Sequence, residues 1–358
     1  MNKAIYLCAA AALALASCSN DETVEMAKGD GISFRTVAGL NTRGAETATA
    51  DLKTNGVYVT SFKEDGSIMY PETKYTESAG VWSAGQFWEQ ENKLNFYLTY
   101  PALTEWQANF ALTTANKQIT GFKVADEIEN QKDYVAAYVE SNKTNAAIQA
   151  DLQHILSQIE IQAKSGNTSY SYEISGVRIG KISSTGNYTF PTLAEKFGTF
   201  ADLSDSKTYE YAIANPVTLN TANGGTIASL KVADLGNAML IPQTLTAWDG
   251  ANDGANAGGN QYISIKVKIT KNGETNPYYN GWAAVGVSGA WTAGNKYIYT
   301  LDLTNGAGKV DPDGPGPDQT EKPNQPGEDI MGDQIKFTVN VVEWNDVFNG
   351  TNNGDLPM

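Results

Sequence analysis

The stretch GISFRTV, Gly31 to Val37, sets apolar Ile32 and Phe34 against polar Ser33 and Arg35. Successive side chains of an extended chain point to opposite faces, so this period of two marks a half-buried strand. The same chemistry recurs downstream. Val57–Phe62, Leu94–Tyr100, Tyr134–Val139, Ile155–Ile161, Tyr170–Ile182, Tyr262–Ile269, Tyr297–Leu303 and Ile335–Val342 are all rich in Val, Ile, Tyr and Phe. Turn-forming pairs such as Asp65-Gly66, Gly186-Asn187 and Asn272-Gly273 separate them, residues that tolerate positive φ. Many short strands, Gly-rich connections and no sustained helical period predict an all-β chain built of β-sandwich domains.

At 358 residues the chain is long enough for two such domains. A polar stretch at 141–150 (SNKTNAAIQA) is the expected boundary, dividing residues 31–150 from 151–358. Residues 249–260 form a Gly and Asn loop. Residues 305–334 carry five prolines and no strand pattern, which predicts a surface excursion or a tether ahead of a terminal strand at 335–344.

The charge is −15, from 25 basic and 40 acidic residues, which argues against nucleic acid as a partner, since phosphate neutralisation needs a basic surface. His154 is the sole histidine, and Cys8 and Cys18 are the two cysteines. A chain beginning at Cys18 forms no internal disulfide and no zinc site of the Cys and His type. No nucleophile and base arrangement can be built on His154 alone, so a structural role at the start of a strand is expected for it, and no catalytic residue is assigned.

Residues 1–17 read as an export leader: Lys3 supplies the positive start, and Ile5 to Ala16 is apolar but too short to span a bilayer. The leader ends Leu15, Ala16, Ser17, Cys18, which resembles the lipobox of bacterial lipoproteins, where the cysteine is acylated and the chain is cut before it. Lipidation at Cys18 would anchor the chain in the outer membrane, with residues 18–30 as a polar tether.

Other constellations have bland readings that outweigh the sharp ones. Trp82, Trp88, Trp106, Trp248, Trp282, Trp291 and Trp344 could stack on sugars, but large aromatics are more often core. Asp311, Asp313 and Asp318 lack the spacing of a calcium loop, and a solvated linker is expected there. No cofactor or metal is implied.

Specific strings carry more than composition does. Thr42-Arg43-Gly44, Asn55-Gly56, Asp65-Gly66, Val81-Trp82, Phe87-Trp88 and LNFYLTYP (94–101) follow the lipobox and first strand in an order that resembles the N-terminal domain of the fimbrillin family of Bacteroidales. HILSQIEI (154–161), MLIPQ (239–243), WTAGNKYIYTLDL (291–303) and FTVNVVEW (337–344) resemble that family's C-terminal domain. The resemblance implies two transthyretin-like β-sandwiches, exported as a lipoprotein and assembled with other fimbrillin subunits into type V pili. It further implies that an Arg/Lys-specific protease cuts after the first strand, here at Arg43, removing Ile32 and Phe34 together with the lipid. A C-terminal strand of another subunit then fills the groove, by the general logic of β-strand complementation.

Ile335, Phe337, Val339 and Val341 fall on one face of the last strand and are the candidate donor row. Two fates are open to it: donation to a neighbour, or pairing within its own sheet. The polar tail after Trp344 leaves stalk, tip and anchor subunits all in play. A lipid-anchored surface glycan-binding protein is the competing reading, resting on the same leader and on the tryptophans.

Overall fold

The computed structural model describes residues 31–36, 49–88, 93–106, 112, 117–220, 225–231, 237–251 and 258–344. Cys18, Arg43, the leader and the tether lie outside the described residues. The first unit runs through β1 (Gly31–Arg35), helix α1 (Thr49–Asn55), β2 (Val57–Lys63), β3 (Ile68–Ser78), β4 (Val81–Phe87) and β5 (Lys93–Tyr100). It continues with β6 (Gln118–Lys123), β7 (Val135–Asn142), β8 (Ile148–Gln149) and β9 (Gln153–His154). Apart from β6, these strands hydrogen-bond in the order β8-β1-β4-β3-β2-β5-β7-β9.

Strand β3 takes part on both sides. Val57 to Phe62 of β2 pair with its first part, while Thr76, Glu77 and Ser78 pair with β4. The layer thereby encloses a core in which Ile32 and Phe34 meet Val59, Tyr75, Trp82, Leu94 and Phe96.

The second unit comprises β10 (Ser157–Lys164), β11 (Tyr170–Thr189), β12 (Thr199–Leu219), β13 (Ala228–Ser229), β14 (Ala238–Leu240), β15 (Thr244–Leu245) and β16 (Tyr262–Lys271). It ends with β17 (Tyr279–Gly286), β18 (Gly289–Ala290), β19 (Asn295–Asp302), β20 (Gly306–Val310), β21 (Asp329–Gly332) and β22 (Lys336–Glu343). One sheet runs β13-β10-β19-β22 with β14 also on β10, and the other runs β12-β11-β16-β17-β20-β21. Ile159, Ile161, Tyr299 and Leu301 from the first sheet share one core with Ile174, Ile179, Ile265 and Val267 from the second. The all-β, sandwich-type expectation holds.

An aromatic seam joins the units. Tyr97 of β5 lies 5.0 Å from Phe190, and Trp106, Phe122 and Tyr134 meet edge to face at 5.1–5.8 Å. Strand β6, although it lies within residues 31–150, pairs with β11 of the second unit from Gln118↔Thr189 to Lys123↔Thr185.

Three local readings differ from the structure. Asn55-Gly56, which the fimbrillin resemblance would set within a pair of strands, instead closes α1, with Gly56 at φ +84° donating its N–H to Leu52 O. A Cβ there would sit 2.9 Å from Tyr75 O, so glycine is required on both counts. Gly186-Asn187 lies inside β11 as a bulge, where the Asn187 side chain accepts from Gly121 N and donates to Asp202, tying together β6, β11 and β12. Residues 305–334 hold β20 and β21 and are fastened to the sheet: Trp282 N donates to Pro315 O, and Tyr278 hydroxyl donates to Ile330 O.

Candidate assembly interface

Strand β1 is short, but it is an inner strand. Phe34 stands opposite Trp82 of antiparallel β4 and Ile148 of parallel β8, so both of its edges are occupied. Ile32, Phe34 and Thr36 are buried, while Arg35 is exposed. The Phe34 ring meets Tyr75 at 5.3 Å and Phe96 at 5.1 Å, both edge to face. Phe34 therefore ties β1 to β3 and β5 across the core, in the geometry aromatic pairs prefer.

Strand β22 is the outermost strand of its sheet. It pairs with β19 in unbroken antiparallel register, from Asp302↔Lys336 to Asn295↔Glu343. The predicted row is present, but its burial falls along its length. Ile335 is 3% exposed, Phe337 and Val339 are half-buried against the core, and Val341 is 49% exposed. Val342, on the opposite face, is 41% exposed, so this edge shows apolar side chains on both faces near its end. Unguarded edges of this kind are uncommon in monomers, which protect them with charge, proline or bulges.

Strand β12, which ends the other sheet of the second unit, shows that protection. Asp202, at a register shift, and Asp205 adopt positive φ, Lys207 reaches Asp126, and Pro216 removes a donor. The structure does not bring Ile32 and Phe34 together with the β22 row; they occupy different sheets.

The remaining candidates resolve into packing. All seven tryptophans are buried, none more than 4% exposed, so they offer no stacking platform. Asp311 is not solvated linker. It is wholly buried, accepts from Asp313 N at 2.7 Å and lies 3.5 Å from the Arg178 guanidinium, which stacks at 3.9 Å on Trp282. Burial pushes the Asp311 carboxyl up, against the opposing pull of Ser264 and Arg178.

Asp313 is also drawn up by burial, but the Tyr262 hydroxyl at 2.7 Å and Lys181 at 3.0 Å outweigh that and hold it low. Asp318 pairs with Lys266 at 2.9 Å. Cations already neutralise these carboxylates, so they pin residues 311–318 to the sheet. His154 stands in β9 as a structural residue, and reading the sequence misses its partner: Nδ1 lies 2.7 Å from Asp133 Oδ2, with both side chains buried. Nothing in local spacing links two positions that only tertiary folding brings together.

These features define a two-unit β-sandwich protein whose distinctive surface elements are strand ends and edges. The chain belongs to the fimbrillin-like family, whose model matches residues 20–314. Solved structures with a similar fold include two from Parabacteroides distasonis, each described as a proposed cell adhesion protein. One is 13% identical with a TM-score of 0.50, over 88% of this chain and 99% of that one. The other is 10% identical with a TM-score of 0.50, over 90% of this chain and 99% of that one. A protein of the same description from Bacteroides eggerthii is 15% identical with a TM-score of 0.48, over 88% of this chain and 97% of that one. No curated protein sequence matches the chain.

Proposed function

We propose that this protein is a structural, non-catalytic subunit of a cell-surface fimbrium that supports adhesion. In this reading the chain is exported as a lipoprotein acylated at Cys18 and held at the outer membrane. An Arg/Lys-specific protease cuts after Arg43, β1 departs, and β22 of another fimbrillin subunit takes its place.

One observation carries the reading. The buried strand runs Ile32-Ser33-Phe34-Arg35-Thr36, and the terminal strand with its preceding residue runs Ile335-Lys336-Phe337-Thr338-Val339. Both place Ile, then Phe, then a β-branched residue on one face, separated by polar residues on the other. A strand whose period is two can replace another only if its large and small side chains fall in the same order. In register, Phe337 enters the site between Tyr75 and Phe96 that Phe34 leaves, and Ile335 follows Ile32. Phe337 is the sole aromatic in its row, which sets both the direction and the register of entry. Removal of Ile32 and Phe34 alone strips two buried apolar side chains, roughly 3–6 kcal/mol of burial, and leaves β4 and β8 with open edges.

The test is the mass and N-terminal sequence of the protein in sheared surface filaments. A chain that starts at Gly44 is the expected result, and a filament chain that still begins at acylated Cys18 overturns the proposal.

A further inference from the structure

The terminal strand is buried at its two ends and only partly covered between them. At one end Ile335 is buried under the β20 turn, close to Gly308. At the other, past the exposed Val341 and Val342, Trp344 is again buried, 4% exposed. Its ring lies flat on the His154 imidazole, with centroids 4.3 Å apart and planes 5° from parallel. His154 is itself buried, with Nδ1 2.7 Å from Asp133 Oδ2, a contact of ion-pair length that is not aligned as a hydrogen bond.

The backbone completes the fastening. Trp344 N donates to Gly294 O at 2.7 Å, and Gly294 N donates to Leu156 O at 3.0 Å. Gly294 sits at φ +69°, and a Cβ there would lie 2.3 Å from the Phe197 ring, so this bridge depends on glycine.

His154 belongs to β9, which pairs with β7 of the first unit through Val135↔His154. The ring of Trp344 thus rests on a residue of the first unit, while its backbone is held at Gly294, beside the β19 strand that β22 extends.

We infer that Trp344, His154 and Asp133 form a latch that keeps the terminal strand on its own chain. The latch stands on geometry alone; its consequence, that opening it readies β22 for a neighbour, rests on the function proposed above. Because β22 pairs on one side only, a strand freed at Trp344 frays from that end inward, Glu343 and Val342 first, while Ile335 still holds the other end.

Hydrogen exchange of the full chain tests the latch, with Trp344→Ala, Trp344→Phe and Trp344→Leu compared with the parent. Trp344→Ala and Trp344→Leu should speed exchange of the amides from Asn340 to Glu343 at least tenfold, and leave β11 and β16 as protected as in the parent. Trp344→Phe, which keeps a flat ring over His154, should stay within threefold of the parent.

Unchanged exchange in Trp344→Ala overturns the latch. Parent-like exchange in Trp344→Leu overturns the role of stacking on His154. Loss of protection throughout the chain makes Trp344 a core residue and overturns the latch as well. Filament yield from a chain lacking residues 335–358 separately tests donation: normal yield refutes donation and does not alter the exchange result.

Discussion

Phe34→Ala is the sharpest test of the claim that the first strand is a core element of its sheet. Phe34 is wholly buried and makes edge-to-face contacts with Tyr75 and Phe96. Truncating a buried Phe to Ala costs about 3–5 kcal/mol, from lost transfer energy and the cavity left behind. The two ring contacts, each about 0.5–1.5 kcal/mol, place this site toward the upper end, near 4–5 kcal/mol. With a urea dependence of about 2 kcal/mol per molar, the midpoint should fall by roughly 2 M. Trp82 and Trp88 belong to the same core, so tryptophan emission in a urea titration reports the loss directly. Val341→Thr is the paired control: half-exposed on the outer strand, it should change stability by no more than about 0.5 kcal/mol. A Phe34→Ala chain within 1 kcal/mol of the parent would refute the reasoning, because β1 would then contribute little to the core it enters.

Arg178→Ala removes the cation facing wholly buried Asp311 and should cost about 3–5 kcal/mol near neutral pH. Burial raises the Asp311 carboxyl, so its neutral form is the one the fold favours, and that stability is present at low pH and lost as pH rises through the raised value. The Arg178→Ala defect should therefore shrink on acidification, as read by urea midpoints between pH 3 and 7; a defect independent of pH would contradict it. Glu160 has the opposite sign. Burial pushes it up, but Lys296 at 2.6 Å outweighs that and holds it low, so its contribution is present above the ordinary value near 4.3 and disappears below the lowered one. Glu160→Gln should cost about 1–3 kcal/mol at neutral pH and nothing in strong acid, measured in the same titrations. Acrylamide should quench the folded chain weakly, and soluble polysaccharide should leave tryptophan emission unchanged, since all seven rings are buried; a large shift on adding polysaccharide would reopen a sugar-binding role.

Alternation made the strands of the cores legible. Ile32 and Phe34, Leu94 to Tyr100, and Tyr297 to Leu303 read as strands from period and residue type alone, and each is one. Strand β12 escaped notice because this edge is guarded by polar residues: Asp202, Asp205, Lys207 and Glu210 interrupt any apolar period, and both aspartates sit at positive φ. Residues 305–334 read as loose for a related reason. Their anchors are single side chains, Asp311 on Arg178 and Asp313 on Lys181 and Tyr262, and no local pattern announces partners fifty or more residues away.

The candidate site was legible as chemistry but not as burial. Ile32 and Phe34 share the pattern of Ile335 and Phe337. What separates them is that β1 has neighbours on both edges and β22 on one, a property of topology that pattern does not contain.

That difference also fixes the direction in which an exchange of the two strands would run. In its own sheet β22 keeps Phe337 and Val339 half-buried, Val341 about half exposed, and one edge unpaired. In the seat of β1 the same row would lie in a closed core between two neighbouring strands. Completing the burial of three partly covered apolar side chains is worth roughly 2–3 kcal/mol, and the second ladder adds its own hydrogen bonds. Against this stand the loss of the β19 pairing and the opening of Trp344 and Ile335. Departure uncovers Ile335 and Trp344 and gives up the β19 ladder, while entry sets the Phe337 row in a closed core, so exchange is opposed while β1 fills that seat and becomes open to β22 only once β1 has gone. If the proposed exchange operates, such a subunit would stay monomeric until its first strand is cut away. Under that proposal the cut rather than any change in β22 would set when assembly begins, and the hold on Trp344 would govern how fast the terminal strand answers it.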